Sequence, residues 1–147
     1  MKLLIPEDYE LLCYFSIPGN LPRKSNNRRI VTNKKTNKPM IIKSKPSMAY
    51  LKQFAKHLPK ELKDVSFEGD LLLVANIYYS SWRPDLSDEL LCDLLQDNGV
   101  VRNDRQFMEK FLSRLKDAEN PRVEAWIYQI PKHTPITIGV YNDQLVL

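Results

Sequence analysis

Hydrophobic positions along the chain fall into two rhythms, and the change from one to the other marks out the elements. "ELLCYFSIPG", Glu10–Gly19, is rich in β-formers and closes on Pro18-Gly19, which predicts a first strand and a turn. The following stretch is polar and turn-rich, with short β-like runs at Arg29–Thr32 and Pro39–Lys43. The intervening "NKKTNK" suits a hairpin loop. After a Ser-Pro start, Met48, Leu51, Phe54, Ala55 and Leu58 recur at helical spacing and predict an amphipathic helix that ends near Pro59. "GDLLLVANIYYSS", Gly69–Ser81, is apolar almost throughout, as a central strand buried on both faces would be.

Beyond Arg83-Pro84, "DLSDELLCDLLQDNG" predicts a second helix, with an Asp or Ser as N-cap and Asn98-Gly99 as its stop. Val100-Val101 forms a short strand that leads into "RNDRQ". The run from Phe107 to Ile130 alternates on both sides of "DAENPR", which predicts a β-hairpin of Phe107–Leu115 with Arg122–Ile130. "PITIGVYNDQLVL" adds a short terminal hairpin. The expected fold is α/β or α+β, one domain over residues 1–147, with a mixed β-sheet and two helices.

At 147 residues, 43% apolar and 27% charged, the chain has the make-up of a soluble globular domain. No apolar run approaches the ~20 residues that span a bilayer, and the N-terminus turns acidic too early for a signal peptide. No membrane association and a cytoplasmic location are therefore expected. Cys13 and Cys92 lack CxxC spacing, and His57 and His133 stand far apart, so neither a disulfide framework nor a zinc motif is indicated.

Charge changes the picture more than composition does. No Asp or Glu lies between Leu11 and Lys60, while residues 21–60 hold twelve Lys or Arg. The rest of the chain is net acidic. Segregation of that size points to a polyanionic partner, nucleic acid first, against the plainer reading of a basic loop that only aids solubility.

The acids cluster as well. On a helix starting at Asp85, Glu89 sits about 40° away, Asp93 about 80° and Asp88 about −60°, with leucines on the opposite arc. Acids at a helix N-terminus and a polar helix face account for such a pattern without any site. Three neighbours favour a metal. The acids begin where a buried strand ends, a second strand delivers Asn103 and Asp104, and a basic segment accompanies them. An oxygen-only set suits Mg²⁺ or Mn²⁺, and such an ion serves phosphodiester hydrolysis.

The segment "RPDLSDELLCDLLQDNGVVRNDRQ" resembles the acidic signature of RusA-type Holliday junction resolvases, which are commonly phage-borne crossover junction endodeoxyribonucleases. "SIPGNLPRKSNNRRIV", "PMIIKSKPSMAYLKQF" and "ENPRVEAWI" are similar to other stretches of that family, so the likeness runs over about residues 11–130. The resemblance implies a homodimeric, Mg²⁺- or Mn²⁺-dependent enzyme that cuts four-way DNA junctions in recombination and repair. Its twofold symmetry would match that of the substrate. The resulting division is a basic loop at 20–46, an acidic metal-site segment at 83–106 and a C-terminal extension at 131–147.

Carried over by position, Asp85 matches the family's first catalytic Asp and Asp104 its last. The second falls on Ser87, so Asp88 or Glu89 must substitute. Glu89 is preferred, because side chains one helical turn apart are neighbours. Asp93 matches an acidic position within the family's helix. The family's helix lysine is replaced by Leu91 or Cys92, which leaves the basic segment to supply a phosphate-facing lysine. Lys24, Arg28 and Arg29 are the first expected DNA contacts, with Lys43, Lys45 and the site-flanking Arg83. If the missing ligand abolishes catalysis, the alternative is a non-catalytic DNA-binding protein on the same fold.

Overall fold

The computed structural model describes residues 4–23, 28–43, 45–132, 139–141 and 144–146. Its main sheet is built from β1 (Glu10–Pro18), β4 (Leu71–Tyr79), β5 (Phe107–Lys116) and β6 (Arg122–Gln129), in the spatial order β1-β6-β4-β5. β2 (Arg28–Thr32) and β3 (Pro39–Lys43) form a separate hairpin, as do β7 (Gly139–Tyr141) and β8 (Gln144–Val146). The helices are α1 (Lys45–His57) and α2 (Glu89–Asp97). This is an α+β fold with a mixed sheet, the class expected from the sequence.

One pairing differs from expectation. β5 and β6 are strands, but they are not hairpin partners, because β4 lies between them. β5 pairs parallel to β4 and β6 pairs antiparallel to it, with Phe111 and Trp126 both opposite Val74. Side-chain composition explains the placement. β5 carries Glu109, Lys110, Arg114 and Lys116 on both of its faces and tolerates only an edge. β6 buries Val123, Ala125 and Ile127 completely and needs a neighbour on each side. The turn between them arches over the end of β4, where the Asp117 N–H donates to the Tyr79 carbonyl at 2.9 Å.

α1 and α2 cover one face of the sheet. Leu73, Ala75 and Ile77 of β4 are fully buried there, with Phe15, Phe54, Leu91, Leu94 and Leu95 packed around them. Phe54 meets Phe15 edge-on at 6.2 Å between ring centroids, which ties α1 to β1. Two of the leucines and methionines expected inside are outside. Met48 is half-exposed at the start of α1, and Leu86 is exposed ahead of α2. β4 is shielded on both faces only at its first three residues; beyond Leu73 its core-side positions are buried and the alternate ones partly open. Val100-Val101 does not extend into a strand. Val101 makes a single parallel bridge to Phe67. Both cysteines are free, and among the described residues no helix is long and apolar enough to cross a membrane.

Candidate functional site

The acid-bearing segment is the crossover that leaves β4, runs back as α2 and returns as β5. Its first part, Trp82–Asp88, is not helical: α2 begins only at Glu89, with Asp88 as N-cap. Asp85 therefore stands in a loop, and the helical wheel that made Glu89 its neighbour does not exist. Pro84 and the bonds that hold the loop explain the late start. Arg114 of β5 donates from Nη2 to the Trp82 carbonyl (2.6 Å) and from Nε to the Pro84 carbonyl (3.0 Å), and stacks 5.1 Å from the centroid of the Trp82 ring. Beneath the loop, the buried Tyr79 hydroxyl donates to the Asp85 carbonyl at 3.3 Å and accepts the Ser87 N–H at 3.4 Å. Burial raises the Tyr79 pKa, so this hydroxyl keeps its proton.

Pinning the backbone leaves the Asp85 side chain outside. It is 80% exposed and meets the Arg23 guanidinium at 3.5 Å, an exposed pair of small energetic weight. The pair nonetheless puts the rim of the basic segment directly against the acidic loop.

The return path is built around Gly99 and Gln106. Gly99 ends α2 at φ +70°, where a Cβ would lie 2.8 Å from the Asp64 Cα, so only glycine fits. Asp64, Ser66 and Phe67 then donate backbone bonds to the carbonyls of Asn98, Gly99 and Val100. Next, Gln106 ties the strand entry together. Its Oε1 accepts the N–H groups of Arg102 and Asn103, and its Nε2 donates to the Phe67 and Gly69 carbonyls, all at 2.9 Å. Asn103 reciprocates as N-cap of the 3₁₀ turn Asp104–Gln106, and the Asp104 N–H donates to Gln96 Oε1 at 3.0 Å. Asp104 is thereby held over the end of α2.

Between these anchors runs a seam. Asp88, Cys92 and Gln96 follow at four-residue spacing on the α2 side that faces β5. Lys110 of β5 reaches across to it, with Nζ 2.9 Å from Asp88 Oδ2, and the same carboxylate oxygen accepts the Cys92 S–H at 3.3 Å. The Asp88 side chain is only 16% exposed. Its carboxylate therefore turns into the seam, and it makes no capping bond to α2. Burial, with the Asp88 charge added, pushes the Cys92 thiol up to about 12, and Asp104 acts in the same direction. Burial works against the Lys110 ammonium, but the Asp88 hydrogen bond and the neighbouring Cys92 outweigh it and hold its pKa above the ordinary lysine value.

The expected site residues thus separate. Asp88 and Asp104 lie along one seam. Asp85 faces solvent beside Arg23, and Glu89 is exposed in the first turn of α2. Asp93 is half-buried on α2. Arg83 is exposed on the pinned loop. Lys24 lies outside the described residues, as do the side chains of Arg28, Arg29, Lys43 and Lys45. The sequence reading missed Lys110 and Arg114. Both alternate with Leu112 on the core side of β5, and a cation at such a position, toward the helix layer, was the available signal.

Oxygen-only donors are the right kind for Mg²⁺ or Mn²⁺. Their arrangement is not a ligand set: among the described residues no three His, Cys, Asp or Glu side chains come together in a way that could hold a metal ion. Compared with known proteins, the chain matches no protein-family profile, and no curated protein matches its sequence.

Proposed function

We propose that this protein is a structure-specific DNA endonuclease of the RusA type, a homodimer that acts on four-way junctions with Mg²⁺ or Mn²⁺. The observation that carries the proposal is the seam: Lys110 Nζ lies 2.9 Å from Asp88 Oδ2, and Asp104 is held at the end of α2 by the bond from its N–H to Gln96 Oε1. Asp85 is pinned on the loop that enters it. The resemblance assigns the outer acids, Asp85 and Asp104, and the geometry favours Asp88 over Glu89 as the third, since Glu89 points to solvent. Lys110 takes the part of the lysine that the helix lacks, as a cation that can face a phosphate. Arg23, already beside Asp85, guides the backbone of a DNA arm toward the loop.

A second reading has its own observation. Asp88 is neutralised by Lys110 and Asp85 sits beside Arg23, so two of the three acids already have cations. That is how a DNA-binding protein which keeps the fold and has lost catalysis would look. Incubation of a labelled four-way junction with Mg²⁺ or Mn²⁺ separates the two. The nuclease reading expects paired cuts, lost in Asp85→Asn, Asp88→Asn and Asp104→Asn with junction binding retained, and unchanged in Glu89→Gln. Mn²⁺ affinity, read from the spectrum of the free ion without DNA, should fall in the same three variants. Binding with no cutting in either metal selects the second reading.

A further inference from the structure

The loop that leaves β4 presents more than acids. Two large apolar side chains face outward on either side of Asp85: Trp82 is 53% exposed and Leu86 37%. Trp82 differs in this from the chain's other tryptophan, Trp126, which packs against the Tyr14 ring at 5.0 Å between centroids. Among the described residues no aromatic ring stacks on Trp82. What backs it is the Arg114 guanidinium, 5.1 Å from the ring centroid. The bonds from that guanidinium to the Trp82 and Pro84 carbonyls keep it there, so one group fixes both the backbone of the ring and one of its faces. The exposure that remains belongs to the opposite face and the edges.

A flat ring with one open face suits a flat partner. The surroundings narrow the kind. Arg83 is exposed next to the ring, Arg114 lies behind it, and Arg23 meets Asp85 three residues on. A flat group that travels with negative charge is a nucleobase on its phosphate backbone. A protein side chain with a flat ring would gain nothing from the three arginines. In the interior of a duplex both faces of every base are already covered, and opening a step there is unfavourable. An unpaired base beside a branch has a face to offer.

We propose that Trp82 is a stacking surface for an unpaired base, and that the DNA this protein selects carries such a base at its branch. A fork, a flap or a four-way junction whose central pairs have opened meets that description; a linear duplex does not. The inference rests on the DNA-binding part of the reading above and deepens it. Reach sets where the base lies. Asp85 follows Trp82 by three residues, a span of at most ~11 Å. Successive stacked nucleotides rise ~3.4 Å along a strand. The stacked base therefore lies within about three nucleotides of the phosphate nearest Asp85. Arg114 is a positioning residue here, since it touches the ring and not the base. Leu86, on the other side of Asp85, has no π-face and adds apolar contact without selecting a base.

A forked DNA with 2-aminopurine at the first unpaired position tests it, beside a linear duplex of the same length. Both are titrated with the full chain in EDTA, so that no strand is cut. Stacking on the ring should quench the 2-aminopurine fluorescence, and the wild-type chain should bind the fork more tightly than the duplex. Trp82→Leu keeps an apolar side chain at an exposed position and should stay native-like in circular dichroism and thermal unfolding. It should lose the quenching and lower the preference for fork over duplex about five- to a hundredfold. Trp82→Phe, which restores a ring, should recover most of both. Wild-type protein that binds the fork without quenching overturns the proposal. So does an equal loss on fork and duplex in Trp82→Leu, which would mean that the ring only shapes the loop. A chain that binds no DNA at low salt sinks the proposal together with the DNA reading. Quenching and fork preference without any cutting of branched DNA in Mg²⁺ or Mn²⁺ uphold the proposal and sink the nuclease reading alone.

Discussion

The acid-bearing crossover and the basic hairpin are held in opposite ways. From Trp82 to Gln106 nearly every turn is fixed by something buried or by a named side-chain bond: Tyr79 and Arg114 at one end, Gly99 and Gln106 at the other, and five buried residues of α2 between them. The hairpin of β2 and β3 pairs only with itself, and its Ile30 and Ile41 are opposite each other and largely exposed. A two-stranded hairpin on its own is marginal in water. The fold therefore dictates where the carboxylates are, whereas a bound polyanion would have to finish placing the basic residues.

Breaking the crossover should cost most. Leu94→Ala removes a buried α2 side chain from beneath the seam and should lose about 2–5 kcal/mol in urea denaturation. Gln106→Leu keeps the volume and deletes four hydrogen bonds, one of them to the carbonyl of half-buried Phe67. It should lose about 2 kcal/mol and loosen Asp104, seen as faster amide exchange at residues 102–106. Neither loss should appear in the hairpin. If Leu94→Ala unfolds no more easily than a hairpin variant, the contrast is wrong.

Much of this contrast was legible in the sequence. Alternation, helical spacing and turn signals located the regions of the described strands and both helices, but they also gave Val100-Val101 as a strand, where Val101 makes only a single bridge. The order of the strands was not legible. β5 and β6 look like a hairpin because a five-residue turn joins them, and only the charges on both faces of β5 reveal it as an edge strand. The start of α2 was misplaced for a related reason. The acids of "DLSDE" suit a helix N-terminus anywhere along the run, and what delays the helix is tertiary: Arg114 and Tyr79 bond the backbone of Trp82–Ser87 and keep it out of the helix. Lys110 was missed because its partner, Asp88, is 22 positions away and on another element.

Smaller effects sharpen the comparison. Tyr50 is buried on α1 and its hydroxyl has no hydrogen-bond partner among the described residues. Tyr50→Phe should raise stability by up to about 1 kcal/mol, since it removes an unsatisfied buried polar group and no bond. Changing Arg28 and Arg29 together to Ala should alter stability by about 0.5 kcal/mol or less. It should nonetheless reduce the salt dependence of junction binding by about 1.8 in the log–log slope, if each arginine meets one phosphate. An unchanged slope would mean that the hairpin turns its cations away from DNA.

The place of β6 also bears on how the protein is made. It is the last strand of the main sheet to leave the ribosome, and it is the one that joins β1 to β4. Until Arg122–Gln129 has emerged, β1 has no partner in the sheet and β4 is paired on one side only. At ~5–20 residues per second, most of the chain waits several seconds with apolar edges unpaired. A stop codon or a stalled ribosome just before Arg122 would not yield a shortened domain, but a chain whose core cannot close.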